Sequence, residues 1–160
     1  MQQPADVTIE RVTAPTAEVI ELLDGLNAAL AGYSEEQRHA LPVDGLFQPN
    51  ILFFVARVDG EAVACGGIGF YDGFAELKRM YSKSAVRGRG VAKKLLARLE
   101  TEARNVGQTL LRIETGAYQH EAMRFYEAAG YRRCEAFGPY AAMPPTAIAT
   151  SVFYEKRLQG

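Results

Sequence analysis

The chain has 160 residues, 48% of them apolar, with 18 Lys and Arg against 19 Asp and Glu for a formal net charge of −1. That length suits a single domain, 1–160, with a proper hydrophobic core, and the balanced charge excludes a disordered chain and argues against a nucleic-acid binder. No long apolar run and no basic-then-apolar leader follow Met1-Gln2-Gln3-Pro4, so neither a membrane partner nor a secretory signal is expected and the cytoplasm is the default location. Two distant cysteines, Cys65 and Cys134, read as free thiols, and with only His39 and His120 present a histidine-rich metal site is excluded; no metal is expected.

Taken in order, 7–12 alternates as a short strand. Pro15 sits where a helix can begin, and Val19, Leu22, Leu23, Leu26 and Leu30 carry a helical stripe up to Gly32. Ser34-Glu35-Glu36-Gln37 is a capping box for a second short helix, followed by a loop marked by Pro42, Gly45 and Pro49. Two apolar runs, 51–58 and 61–70, flank Asp59-Gly60, a tight-hairpin signal, and Asp72-Gly73 turns into a third strand over 74–83. Ala92, Leu95, Leu96, Leu99 and Ala103 define one face of a helix that ends near Gly107. A strand at 110–115 comes next, then a helix with Ala122, Phe125, Tyr126 and Ala129 on one face, stopped at Gly130. Strands over 131–137 and 150–158 close the chain, separated by a stiff loop containing Gly138-Pro139-Tyr140 and Pro144-Pro145.

The stretch Ser82 to Lys94 joins the third strand of that series to the long helix. Gly88 and Gly90 allow positive φ and close approach of a ligand to the main chain, and the helix start beyond them offers unpaired N–H groups suited to a phosphate. From Leu77 to Leu99 there are eight cations and no acid. A nucleotide-hydrolase loop would need Gly-Lys followed by Ser or Thr, whereas Gly90 precedes Val91-Ala92; the dinucleotide fingerprint fails on its glycine offsets. A plain glycine-rich turn with a solvated basic face is the bland alternative.

The spacing Arg87, Gly90, Ala92, with the extra Gly88, resembles the Gln/Arg-x-x-Gly-x-Gly/Ala loop of the GNAT superfamily of acetyl-CoA-dependent N-acetyltransferases, and the element order is also similar. The resemblance is most specific from Ala75 to Tyr131. It implies an α/β fold whose central, mostly antiparallel mixed sheet is splayed between the fourth and fifth strands, with helices on both faces. It also implies acetyl-CoA as cosubstrate, its pyrophosphate on Arg87, Gly88, Arg89, Gly90, Val91 and Ala92 and its pantetheine arm on the main chain of Met80, Tyr81 and Ser82, an N–H near Met80 facing the acetyl carbonyl. Gln119 stands where the family often has an asparagine toward CoA.

By the same resemblance Tyr126 would protonate the departing thiolate, and Glu76 would take the proton of the attacking amine, with Glu114 a weaker alternative. On the residues alone, Tyr126 also reads as a core aromatic and Glu76 as a partner of Lys78 or Arg79. Residues 1–76 carry twelve acids and three arginines, which points to an acidic pocket for an amine; Tyr33, His39, Phe47 and Tyr140 are candidate lining residues. The expected activity is acetyl transfer to the primary amine of a small molecule. A protein N-terminus or lysine is the alternative acceptor, and a non-catalytic acyl-CoA-binding module the alternative class. Homodimers are common in families that resemble this chain.

Overall fold

Local signals account for most of the elements in the computed structural model, which describes residues 6–38 and 43–159. The order is β1 (Val7–Val12), α1 (Ala17–Ala29), α2 (Glu35–Arg38), β2 (Ile51–Val58), β3 (Glu61–Tyr71), β4 (Phe74–Ser82), α3 (Val91–Asn105), β5 (Leu110–Gly116), α4 (His120–Ala128), β6 (Arg132–Cys134), α5 (Pro145–Ile148) and β7 (Ser151–Arg157). Thr16 caps α1 by accepting the Val19 N–H at 3.2 Å. The capping box forms in both directions: Gln37 N–H donates to Ser34 Oγ and Ser34 N–H to Gln37 Oε1, each at 3.2 Å. Asp59 and Gly60 both take positive φ, 51° and 83°, the backbone that a two-residue hairpin needs to match strand twist.

The described strands form one seven-stranded sheet, β1-β2-β3-β4-β5-β7-β6, in which β4–β5 alone is parallel. Alternation assigns the faces. Phe54, Ala56, Ile68, Ala75, Leu77, Leu111, Ile113 and Tyr154 meet Leu95, Leu96 and Leu99 of α3 on one side. Phe53, Val55 and Cys65 meet Val19, Leu22 and Leu23 of α1 on the other. Each buried α3 leucine contributes about 1.5–3 kcal/mol, which pins β4 with Ala75 and Leu77 toward α3. Glu76 and Lys78 are thereby sent to the opposite face.

Two irregularities open the sheet where the site lies. In β3–β4 the register runs Cys65↔Tyr81 and then Gly67↔Lys78, so Gly66 alone faces Arg79 and Met80. This is a β-bulge, with Arg79 at φ 55°. It switches the parity of the strand: Met80 turns to the α3 core, and Tyr81 to the α1 side. In β4–β5 the paired residues are Ala75↔Leu111 and Glu76↔Arg112, after which the strands part. The splay falls between the fourth and fifth strands, as the resemblance implies.

Three details differ from the sequence reading. The buried stripe of α3 starts at Val91, and Ala92 is half-exposed. The last strand-like stretch before the stiff loop pairs over Arg132–Cys134 alone, because its two end aromatics are used elsewhere. Tyr131 is buried with its hydroxyl on Glu100 Oε2 at 2.8 Å, and Phe137 packs edge-on against Phe74 and Phe153. The stiff loop itself folds into a 3-10 turn, Gly138–Ala142, and α5. Both cysteines are free thiols.

Candidate active site

The basic loop turns at Gly88 and Gly90, with φ of 81° and 79°. A Cβ at either would meet open space, so backbone conformation and not crowding demands glycine there. Gly90 is the N-cap of α3 and supplies no side-chain cap. The Lys94 N–H is the first to reach a main-chain acceptor of the helix, Gly90 O at 3.1 Å, which leaves the N–H groups of Val91, Ala92 and Lys93 at the positive end of the helix without one.

These groups border a cleft of ≈ 820 Å³ between the loop and α4, a size ample for a cofactor. Met80, Tyr81, Ser82, Arg87, Gly88, Gly90, Val91, Ala92 and Gln119 all line it. Arg89 is exposed and stands outside the lining. Arg87 faces Glu121 of α4 at 3.5 Å across the mouth. Together, the free N–H groups, the cations and the unpaired β5-side edge of β4 suit a ligand that carries phosphates at one end and amides along its length.

A second, smaller cavity of ≈ 150 Å³ opens on the α1 face. Glu76 reaches it from β4 and Glu114 from β5. Glu76 is buried and doubly bonded: Tyr140 Oη donates to its Oε2 at 2.7 Å, and Lys78 Nζ to its Oε1 at 3.1 Å. Glu114 accepts from Ser151 Oγ at 2.7 Å. Burial, together with the charge of Glu76, pushes the Glu114 carboxyl up to about 7 against the opposing effect of Ser151. Arg38, Lys78 and Arg79 share the cavity wall.

The two cavities meet at Leu26, Met80, Gln119, Ala122 and Tyr126, which line both. Tyr126 is buried against Phe125 and Tyr131, at ring-centroid distances of 5.2 and 5.7 Å. Burial raises the proton affinity of its phenol, so it enters any reaction protonated. Reference pKa values alone place phenol and thiol closer than this dry position allows; a thiolate formed at the same place is raised by the same desolvation.

Of the candidate lining residues, Tyr33 and Tyr140 reach the smaller cavity. Phe47 does not: it packs on Phe53 in the α1 core, with ring centroids 5.6 Å apart. His39 lies outside the described residues. The acidic pocket expected from the N-terminal half is acidic on one side only. Glu10 and Glu18 pair with Arg57, and Glu21 and Glu61 with Lys83, so these carboxylates are held by ion pairs away from the cavity. Sequence reasoning missed Arg38, Arg79 and Ser151 as lining or supporting groups; Arg79 was visible as one of the eight cations, but nothing in the pattern showed that the bulge separates it from the phosphate side. Among the described residues no cluster of three His, Cys, Asp or Glu could hold a metal ion, and no helix is long and apolar enough to cross a membrane.

A sheet splayed beside a helix start with unpaired N–H groups, with a second cavity behind the slit, is the arrangement expected of an acyl-CoA-dependent transferase. A profile of the acetyltransferase (GNAT) family matches residues 19–131, and the chain belongs to that family. It is 36% identical over 156 residues to an IAA acetyltransferase of Azospirillum brasilense, covering 96% of this chain and 99% of the relative. A Klebsiella pneumoniae structure assigned as an acyl-CoA N-acyltransferase superposes with a TM-score of 0.77 at 37% identity, covering 96% and 98% of the two chains. The PaiA N-acetyltransferase of Thermoplasma acidophilum, solved with coenzyme A, shares the fold with a TM-score of 0.74 at 20% identity over 95% and 99%.

Proposed function

We propose that the protein transfers acetyl from acetyl-CoA to the primary amine of a small molecule by direct attack. The observation that carries this reading is the meeting of the two cavities at Met80, Gln119, Ala122 and Tyr126. When bound, acetyl-CoA supplies an activated thioester. The amides of Gly88, Gly90, Val91 and Ala92 hold the pyrophosphate, with Arg87 and Arg89 adding charge, while Met80, Tyr81 and Ser82 offer the main chain of β4 to the pantetheine. The Met80 N–H, at the bulge, answers the charge that develops on the carbonyl oxygen.

A typical alkylamine is protonated at neutral pH, so the proton must leave first. The Glu76 and Glu114 carboxylates receive it as a coupled pair on neighbouring strands. Glu76 is held in place by two donors, and Glu114 carries the proton affinity suited to accept. Tyr126 gives its proton to the departing thiolate and is restored by the second proton that the attacking nitrogen loses as the amide forms. The small volume of the acceptor cavity supports a small molecule rather than a peptide.

The test is thiol release from acetyl-CoA with a panel of small amines and, separately, a peptide with a free N-terminus and a lysine. Turnover with small amines and little with the peptide is expected. Tyr126→Phe is expected to lower kcat by about 10²-fold with acetyl-CoA affinity retained; unchanged kcat across pH removes the acid role from Tyr126.

A further inference from the structure

The acceptor cavity has two electrical poles. Glu76 and Glu114 form the acidic one, beside the slit. On the side of α1 and α2 stand Arg79, from the bulge of β4, and Arg38, the last residue of α2. The charge of Lys78 is answered by Glu76 at 3.1 Å. The guanidinium groups are not answered in this way. Arg79 gives Nη2 to the neutral Asn27 Oδ1 at 3.3 Å, and its Nε is buried with no acceptor among the described residues. Arg38 gives Nε to the Tyr33 carbonyl at 3.2 Å. Neither forms an ion pair among the described residues.

Comparable cations elsewhere in the protein have their charge answered, although Arg112, which pairs with Glu155 at 3.7 Å, shares the orphaned Nε. Arg57 binds Glu10 and Glu18, Lys156 binds Glu100, and Arg112 lies over the rings of Phe74 and Phe137. A partly desolvated guanidinium with an orphaned N–H is costly unless an anion reaches it, and its planar fork suits a carboxylate or phosphonate. Desolvation lowers the proton affinity of Arg79, in keeping with a charge held without a partner.

From this arrangement we infer that the acceptor is zwitterionic: a small amine that carries a carboxylate or phosphonate, its anion bound by Arg79 and Arg38 and its amine presented to the Glu76–Glu114 side. The inference rests on the acetyl-transfer reading and narrows its substrate class to amino acids and short aminoalkylphosphonates. The ≈ 150 Å³ cavity admits a molecule of that size.

The experiment compares kcat/KM for each amino acid of a panel with that for its amide, at one pH, with the matching aminophosphonates as a third arm. The amide amine is the less basic and so the more available at neutral pH, which biases the comparison against the inference. The best-accepted acid is expected to exceed its amide by about tenfold or more, the scale of a lost charged hydrogen bond. Arg79→Gln collapses that ratio toward one, and Arg38→Gln reduces it. The phosphonate arm tells which oxyanion is preferred. Amides turned over as well as acids, or a ratio unmoved by both substitutions, overturns the inference while leaving acetyl transfer intact. If no amine releases thiol, acetyl transfer fails, and calorimetric titration of the amino acids into the protein with CoA still decides the anion site: binding lost in Arg79→Gln supports it, and no binding by any of them overturns it.

Discussion

Glu114 shows how far a position can change an ordinary carboxyl. It stands two residues beyond Arg112, which pairs with Glu76 across the parallel strands, so the two acids share a face. Its carboxyl is pushed up to about 7, chiefly by burial. On the proposed role as proton acceptor it works only when charged, so the pH profile of kcat/KM should contain a limb that bends near 7, beneath the further rise due to the amine. In Glu114→Gln that limb should vanish, leaving the dependence due to the amine, and the rate at pH 8 should fall by about 10²-fold; a retained limb would assign it elsewhere. The same shift has a stability consequence of opposite sign. Between the ordinary value of 4.5 and about 7 the folded protein keeps a proton that the unfolded chain has lost, so stability falls as pH rises through that window. Glu114→Gln removes this loss. By pH 8 the variant should be the more stable protein, by on the order of 3 kcal/mol, as urea melts at pH 4 and pH 8 would show; an equal gap at both pH values would mean the raised affinity is absent.

The element that converts sequence into site is the bulged β4. Gly66, opposite the bulge, has no room for a side chain: a Cβ there would run into the Met80 sulfur and come within 3.4 Å of Leu95. Gly66→Ala should cost about 1–3 kcal/mol by overpacking, a fall of roughly 3–10 °C in Tm. It should also raise the KM for acetyl-CoA, because the displaced Met80 is among the residues that line both cavities; calorimetry and steady-state kinetics would read the two effects, and a normal KM in a destabilised variant would detach the bulge from cofactor binding. This part of the protein was only partly legible in the sequence. The glycines at 88 and 90 announce themselves because positive φ needs them, and the hairpins because Asp59-Gly60 and Asp72-Gly73 are local signals. The placement of β7 between β5 and β6 was not legible, since Thr115↔Val152 and Cys134↔Phe153 are distant pairings that any alternating strand could satisfy. Nor were the placement of Arg79 and the raised proton affinity of Glu114, which the sequence named as a weaker alternative acceptor, because their surroundings come from Asn27, Glu76 and Ser151 on other elements.

At the scale of the whole molecule, the sheet consists of two wings, β1–β4 and β5–β7, whose backbone ladders meet at Ala75↔Leu111 and Glu76↔Arg112. Side-chain ties reinforce the junction around the slit. Tyr140 holds Glu76, the Tyr118 N–H donates to Tyr33 Oη at 2.9 Å, and Gln108 Nε2 donates to the Tyr71 carbonyl at 2.9 Å. Between them the edge of β4 from Leu77 to Ser82 faces the cleft with no strand beyond it. A pantetheine arm laid along that edge would act as the missing strand and join the wings. Acetyl-CoA at a hundred times its Kd should therefore stabilise the fold by about 2.7 kcal/mol, a rise of roughly 5–11 °C in Tm for a chain of this length. The gain should be local as well as global. Hydrogen exchange should slow at main-chain amides within 77–82 and 88–93 when acetyl-CoA is bound, while β1 and β2, remote from the slit, change little. Protection spread evenly over the sheet would mean that the ligand tightens the molecule without pairing with β4. No protection at 88–93 would remove the pyrophosphate from the start of α3, and with it the placement of the thioester between Met80 and Tyr126.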